Sequence, residues 1–72
     1  MTNHGLTNKI RNHLFNHGEM TQQQLADKVG VPRQTIIAME ADKYAPSLPL
    51  AFRIARTFNL TIEEIFIYCD DQ

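Results

Sequence analysis

The sequence predicts an all-α domain of five short helices, and three observations carry that expectation. Thr21 with Gln24 and Thr61 with Glu64 have the spacing of capping boxes, in which side chains and backbone at a helix start satisfy one another's hydrogen bonds. Gly18 and Gly30 stand where two apolar stripes stop, and Pro32 and Pro49 fall where new helices begin. Apolar residues recur three and four positions apart, the period of one face of a helix.

The first helix is expected from Leu6 to about His17, with Leu6, Ile10 and Leu14 as its buried stripe and Gly18 as its stop. A second helix follows Thr21 over about residues 22–29. Met20 is placed to staple onto Leu25, and Leu25, Ala26 and Val29 line one face before Gly30. The third helix opens at Pro32, whose missing N–H would have no partner in a first turn anyway, and buries Ile36 and Met39. Asp42 to Pro46 reads as a turn. Ser47 can then cap a fourth helix running to Asn59, with Leu50, Ile54, Ala55 and Phe58 facing inward. The fifth helix, about residues 62–68, offers Ile62, Ile65 and Phe66, although β-branched residues in Ile62–Tyr68 leave a short terminal strand open.

At 72 residues and 43% hydrophobic, the chain has room for one domain with an ordinary core and none for a deep catalytic cleft. No run approaches the roughly 18 apolar residues of a membrane span, and the N-terminus lacks a signal peptide's apolar stretch, so a soluble cytoplasmic protein is expected. The single cysteine, Cys69, cannot form an internal disulfide, and acidic Asp70 and Asp71 beside it disfavour a reactive thiolate. Seven basic residues face eight acidic ones, unevenly spread. All seven cations lie before residue 60, while Glu63, Glu64, Asp70 and Asp71 follow with no basic residue among them, an asymmetry that points to a charged partner.

Chemistry beyond binding finds little support. His13 and His17, four residues apart, have metal-ligand spacing but fit better as polar residues near a helix end. Glu63 and Glu64 are adjacent, so on a helix they point about 100° apart, and Glu64 is spoken for by the Thr61 cap. The one serine, Ser47, is a helix cap, and no glycine-rich phosphate loop is present. Neither an enzyme nor a bound metal, cofactor or small-molecule substrate is expected.

Residues 21–41 are therefore the informative stretch: a short helix, a three-residue turn containing glycine, and a second helix with a polar outer face. Ala26 is small where two helices could cross closely, Gly30 supplies the positive φ of the turn, and Ile36 is buried six residues later. This pattern resembles the helix-turn-helix of the phage repressor and Cro-like (Xre-type) transcriptional regulators. The segments TQQQLA, RQTI and KYAPSL carry the likeness, which extends over residues 19–66. It implies a five-helix lambda-repressor-like fold over the whole chain and a sequence-specific DNA-binding regulator, a repressor that reads operator DNA as a homodimer.

Carried onto this sequence, the resemblance makes the third helix the reading helix, with Arg33, Gln34, Thr35 and Ala38 toward the bases. The chemistry agrees: Arg33 can donate twice to guanine, Gln34 can pair bidentately with adenine, and Ala38 can touch a thymine methyl. Gln22, Lys43 and Tyr44 are the expected backbone contacts. Ile65, Phe66, Ile67 and Tyr68 form a longer apolar run than one buried stripe needs, and this C-terminal stretch, residues 61–72, is the expected dimer surface. The rival reading keeps the fold but binds a protein, as an antitoxin-like or regulator-binding module would, using the acidic end as its handle. Two departures from the family pattern concern stability. Glu40 lacks the usual arginine late in the first helix, leaving Arg11 as its nearest partner, and Asp42 stands where relatives usually have glycine.

Overall fold

The computed structural model describes residues 5–68. In chain order they form β1 (Leu6–Asn8), α1 (Ile10–Asn16), α2 (Gln22–Val29), α3 (Arg33–Glu40), α4 (Leu48–Phe58), α5 (Ile62–Ile65) and β2 (Phe66–Tyr68). Cys69, Asp70 and Asp71 lie outside the described residues.

The helix starts follow the local chemistry. Both capping boxes are complete: Thr21 Oγ1 accepts from Gln24 N at 3.0 Å while Gln24 Oε1 accepts from Thr21 N at 2.8 Å, and Thr61 and Glu64 repeat the exchange. Ser47 accepts from Leu50 N to open α4, and Pro49 sits in its first turn. Stops are equally local. Gly30 ends α2 at φ 78° and Asn59 ends α4 at φ 60°, both in the left-handed region that closes a helix.

The two ends of the chain differ from the sequence expectation. Leu6 is not in the first helix, which begins only at Ile10, and the last helix stops at Ile65 instead of running to Tyr68. Leu6–Asn8 and Phe66–Tyr68 instead pair antiparallel, Leu6 opposite Tyr68, Thr7 opposite Ile67 and Asn8 opposite Phe66. The strand alternative left open for the C-terminus is thus the one realised at Phe66–Tyr68. Its aromatic and β-branched residues suit a pleated surface, and β1 supplies the partner that a lone strand would lack. Leu6 still packs against the core, but from a strand. Asn8 makes the switch: its Oδ1 accepts from Ile10 N at 3.1 Å, turning the chain out of β1 and into α1.

Asn8 also ties this ribbon to the end of α3. Its Nδ2 donates to the Met39 carbonyl at 2.6 Å and to Asp42 Oδ1 at 3.3 Å, and Thr7 Oγ1 makes a long contact of 3.5 Å with the other Asp42 oxygen. Asp42 adopts the left-handed conformation, φ 61°, that glycine takes more easily. A glycine here could not accept those bonds, so the departure at residue 42 has a structural reason.

The core lies where the helices meet. Ile10, Leu25, Ile36, Ile54 and Ile65 are fully buried, and Met39 and Phe58 almost so. Each such side chain contributes about 1.5–3 kcal/mol on burial. Ile65 and Phe66, two of the four residues expected at the dimer surface, are part of this core. His13 and His17 lean on Phe58, with ring centroids 5.8 and 5.0 Å from it. Both imidazoles also donate to backbone, His13 Nε2 to the Glu64 carbonyl and His17 Nδ1 to the His13 carbonyl.

Candidate nucleic-acid interface

α2 and α3 pack directly on each other, joined only by Gly30, Val31 and Pro32. The Ala26 carbonyl accepts from both Gly30 N (2.8 Å) and Val31 N (3.1 Å), which fixes the turn. Ala26 itself is fully buried, leaving no side-chain bulk to separate the helices. With Leu25, Val29, Ile36 and Met39 facing the core, the remaining positions of α3 are turned outward by helical geometry.

Those outward positions carry polar side chains that can read or hold a duplex. Arg33 and Gln34 are exposed in the first turn of α3, and Thr35 and Ala38 are half-buried behind them. Ile37 is 41% exposed, an apolar side chain among polar ones. Pro32 precedes the helix without a side-chain cap, so none of the first-turn N–H groups is taken by one. Lys43 and Tyr44, both exposed, follow in the turn after α3. Gln22 begins α2.

Gln22 belongs to a network that the sequence only hinted at. Glu40 Oε1 accepts from Gln22 Nε2 at 2.9 Å and from the Arg11 guanidinium at 3.4 Å. Arg11 is therefore the partner of Glu40, reaching it from the first turn of α1 instead of the last. Only 6% of the Glu40 side chain is exposed, and its Oε2 is buried without a hydrogen-bond partner. The carboxylate is thus half satisfied, and a lone pair left dry inside a protein is costly. What the arrangement achieves is positional: Glu40, at the end of α3, holds the first side chain of α2. The spacing from Thr21 to Glu40 carried no signal of this, because the contact depends on how the two helices cross.

Among the described residues no three His, Cys, Asp or Glu side chains are placed to hold a metal ion. No helix among them is long and apolar enough to cross a membrane.

The helix-turn-helix family model matches residues 14–65, which span α2 through α5. The chain belongs to that helix-turn-helix family of Xre-type regulators. An HTH-type transcriptional regulator of Methanocaldococcus jannaschii is 54% identical, over 93% of this chain and 100% of its own length. Another from Archaeoglobus fulgidus is 52% identical over 89% of this chain and 90% of that protein. A Bacillus subtilis regulator of the same type is 44% identical over 64% of this chain. A crystal structure from Bacteroides fragilis superposes with a TM-score of 0.73 over 85% of this chain at 24% identity, which establishes the shared fold.

This helix-turn-helix protein is accordingly a transcriptional regulator with a DNA-binding domain of lambda-repressor-like fold, and its family is not one of enzymes. The ribbon of β1 and β2 flanks the five helices and takes the place of the expected start of the first and end of the last.

Proposed function

We propose that this helix-turn-helix regulator is a cytoplasmic repressor that reads operator DNA as a homodimer. The observation that carries the reading is the placement of Arg33 and Gln34, exposed in the first turn of α3 with α2 packed behind them. With α3 in the major groove, Arg33 donates in bidentate fashion to guanine O6 and N7, and Gln34 pairs with adenine N6 and N7. Thr35 and Ala38 lie deeper on the same helix and contact a base edge or a thymine methyl as the groove closes on it. Gln22 has a second amide N–H beyond the one given to Glu40, and that group meets a phosphate. Lys43 and Tyr44 hold the backbone on the far side of α3.

One module makes few base contacts, so two copies on half-sites about 34 Å apart, or a multiple of that spacing, supply the selectivity. Of the apolar run Ile65–Tyr68, Ile67 and Tyr68 remain for contact between copies, since Ile65 and Phe66 are buried in their own chain.

Selection of bound sequences from a random duplex pool tests the reading, run in parallel with Arg33→Ala. A palindromic site should emerge, and the variant should lose preference at one base per half-site, about 1–3 kcal/mol of discrimination each. A pool that shows no enrichment at low salt with folded protein would sink operator reading and favour a protein partner.

A further inference from the structure

The outer face of α3 carries one large apolar side chain, Ile37, 41% exposed. Ile36 and Met39 supply what this helix gives to the core, so Ile37 is not there to complete it. A lone exposed aliphatic is ordinary on a protein surface, and position is what sets this one apart. With about 100° between successive helical residues, Ile37 falls about 40° round the helix from Arg33 and about 60° from Gln34, inside the arc that those two exposed side chains bound. It also lies about 6 Å further along the axis than Arg33, the rise of one or two base pairs.

An aliphatic side chain set between two hydrogen-bonding ones has one kind of partner to meet in a major groove. Base edges there present acceptors, amino groups and a single apolar group, the C5-methyl of thymine. Against a carbonyl, a ring nitrogen or an amino group, Ile37 would strip away water and return no hydrogen bond, which costs free energy. Against a methyl it buries apolar surface on both sides. Ala38, half-buried and carrying only a Cβ, reaches less far. We infer that Ile37 is a specificity-determining residue of the reading helix, packing on the C5-methyl of a thymine one or two base pairs from the guanine held by Arg33. The inference rests on the operator reading above and adds to it a base selected without a hydrogen bond.

Fluorescence anisotropy with the duplex that the random pool yields tests it. Each thymine of a half-site is replaced in turn by deoxyuridine, which keeps the pairing and every hydrogen-bonding group and removes only the methyl. For wild type, one replacement, within two base pairs of the guanine whose selection depends on Arg33, should weaken binding about fourfold, the worth of one buried methyl-sized group. Ile37→Ala should lose at least that much on the thymine duplex and be nearly indifferent to the same replacement. Its thermal melting should match wild type, because the side chain it truncates is exposed. Equal sensitivity to deoxyuridine in wild type and Ile37→Ala at every thymine overturns the inference and leaves the methyl to Ala38 or Thr35. A selected half-site with no thymine within two base pairs of that guanine overturns it as well. A pool with no enriched sequence sinks operator reading itself, whereas an enriched operator whose methyl groups do not matter to wild type sinks only the role of Ile37.

Discussion

α2 and α3 are joined by three residues, and their crossing is set by contacts within residues 21–41: the Thr21 cap, the left-handed Gly30, the small Ala26 and the buried Ile36. β1 and β2 come from opposite ends of the chain, and nothing local brings them together. Their pairing depends on Lys9 N donating to the Ile65 carbonyl at 2.8 Å and on Asn8 gripping the end of α3. One region is a locally specified motif that carries the proposed reading surface; the other is a clasp that needs the finished fold. The difference teaches that the helix-turn-helix, on which the proposed reading rests, is also the part most strongly specified by neighbouring residues.

That comparison can be broken most severely at Ile36. Replacing this fully buried residue with alanine should cost about 2–5 kcal/mol, enough to unfold much of a small domain, and thermal melting reads it directly. A loss below that range would mean the helix pair is not the stability centre. On the clasp side, Asn8→Ala removes the bonds to Met39, Asp42 and Ile10, and should cost about 1–3 kcal/mol. Hydrogen exchange should then rise at Thr7 and Ile67 while α2 and α3 keep their protection; equal loss in both regions would show that the clasp supports the motif after all.

The two capping boxes give a matched pair with a smaller effect. Thr21→Ala and Thr61→Ala should each cost about 1 kcal/mol of stability. Only the first should also weaken DNA binding, because Gln22 begins the helix that Thr21 caps, and equal affinities for the two variants would remove α2 from the interface. The smallest change is expected from Asp42→Gly. Relief of the left-handed backbone and loss of two long bonds to the ribbon oppose each other, so melting should shift by no more than about 0.5 kcal/mol. A clear loss would show that the Asp42 carboxylate holds the clasp more firmly than its distances of 3.3 and 3.5 Å indicate.

The legibility of the sequence divides along the same line. Caps, glycines and helical stripes act over a few residues, so α2, α3 and α4 could be read directly, along with the outward positions Arg33 and Gln34. Leu6 was misplaced because a strand residue packing on the core satisfies the same i, i+4 spacing from Ile10 that a helix residue would. Ile65 and Phe66 looked surplus because the demand for them, a core closed over by α5 and β2, is tertiary. Arg11 could be named as the candidate partner of Glu40, but the pairing itself was left open by the sequence, because it depends on where α1 lies against α3. The hold of Glu40 on Gln22 was not, being a product of the helix crossing.

The clasp has one more consequence. Leu6 sits opposite Tyr68, so the first and last described strands are neighbours on one ribbon. Opening the exposed turn at Lys43–Ala45 and joining the old ends with a short linker would give a circular permutant in which β2 precedes β1 in sequence. In that molecule the pairing of β1 with β2 becomes a contact between strands adjacent in sequence, which lowers the contact order of the fold and should speed folding.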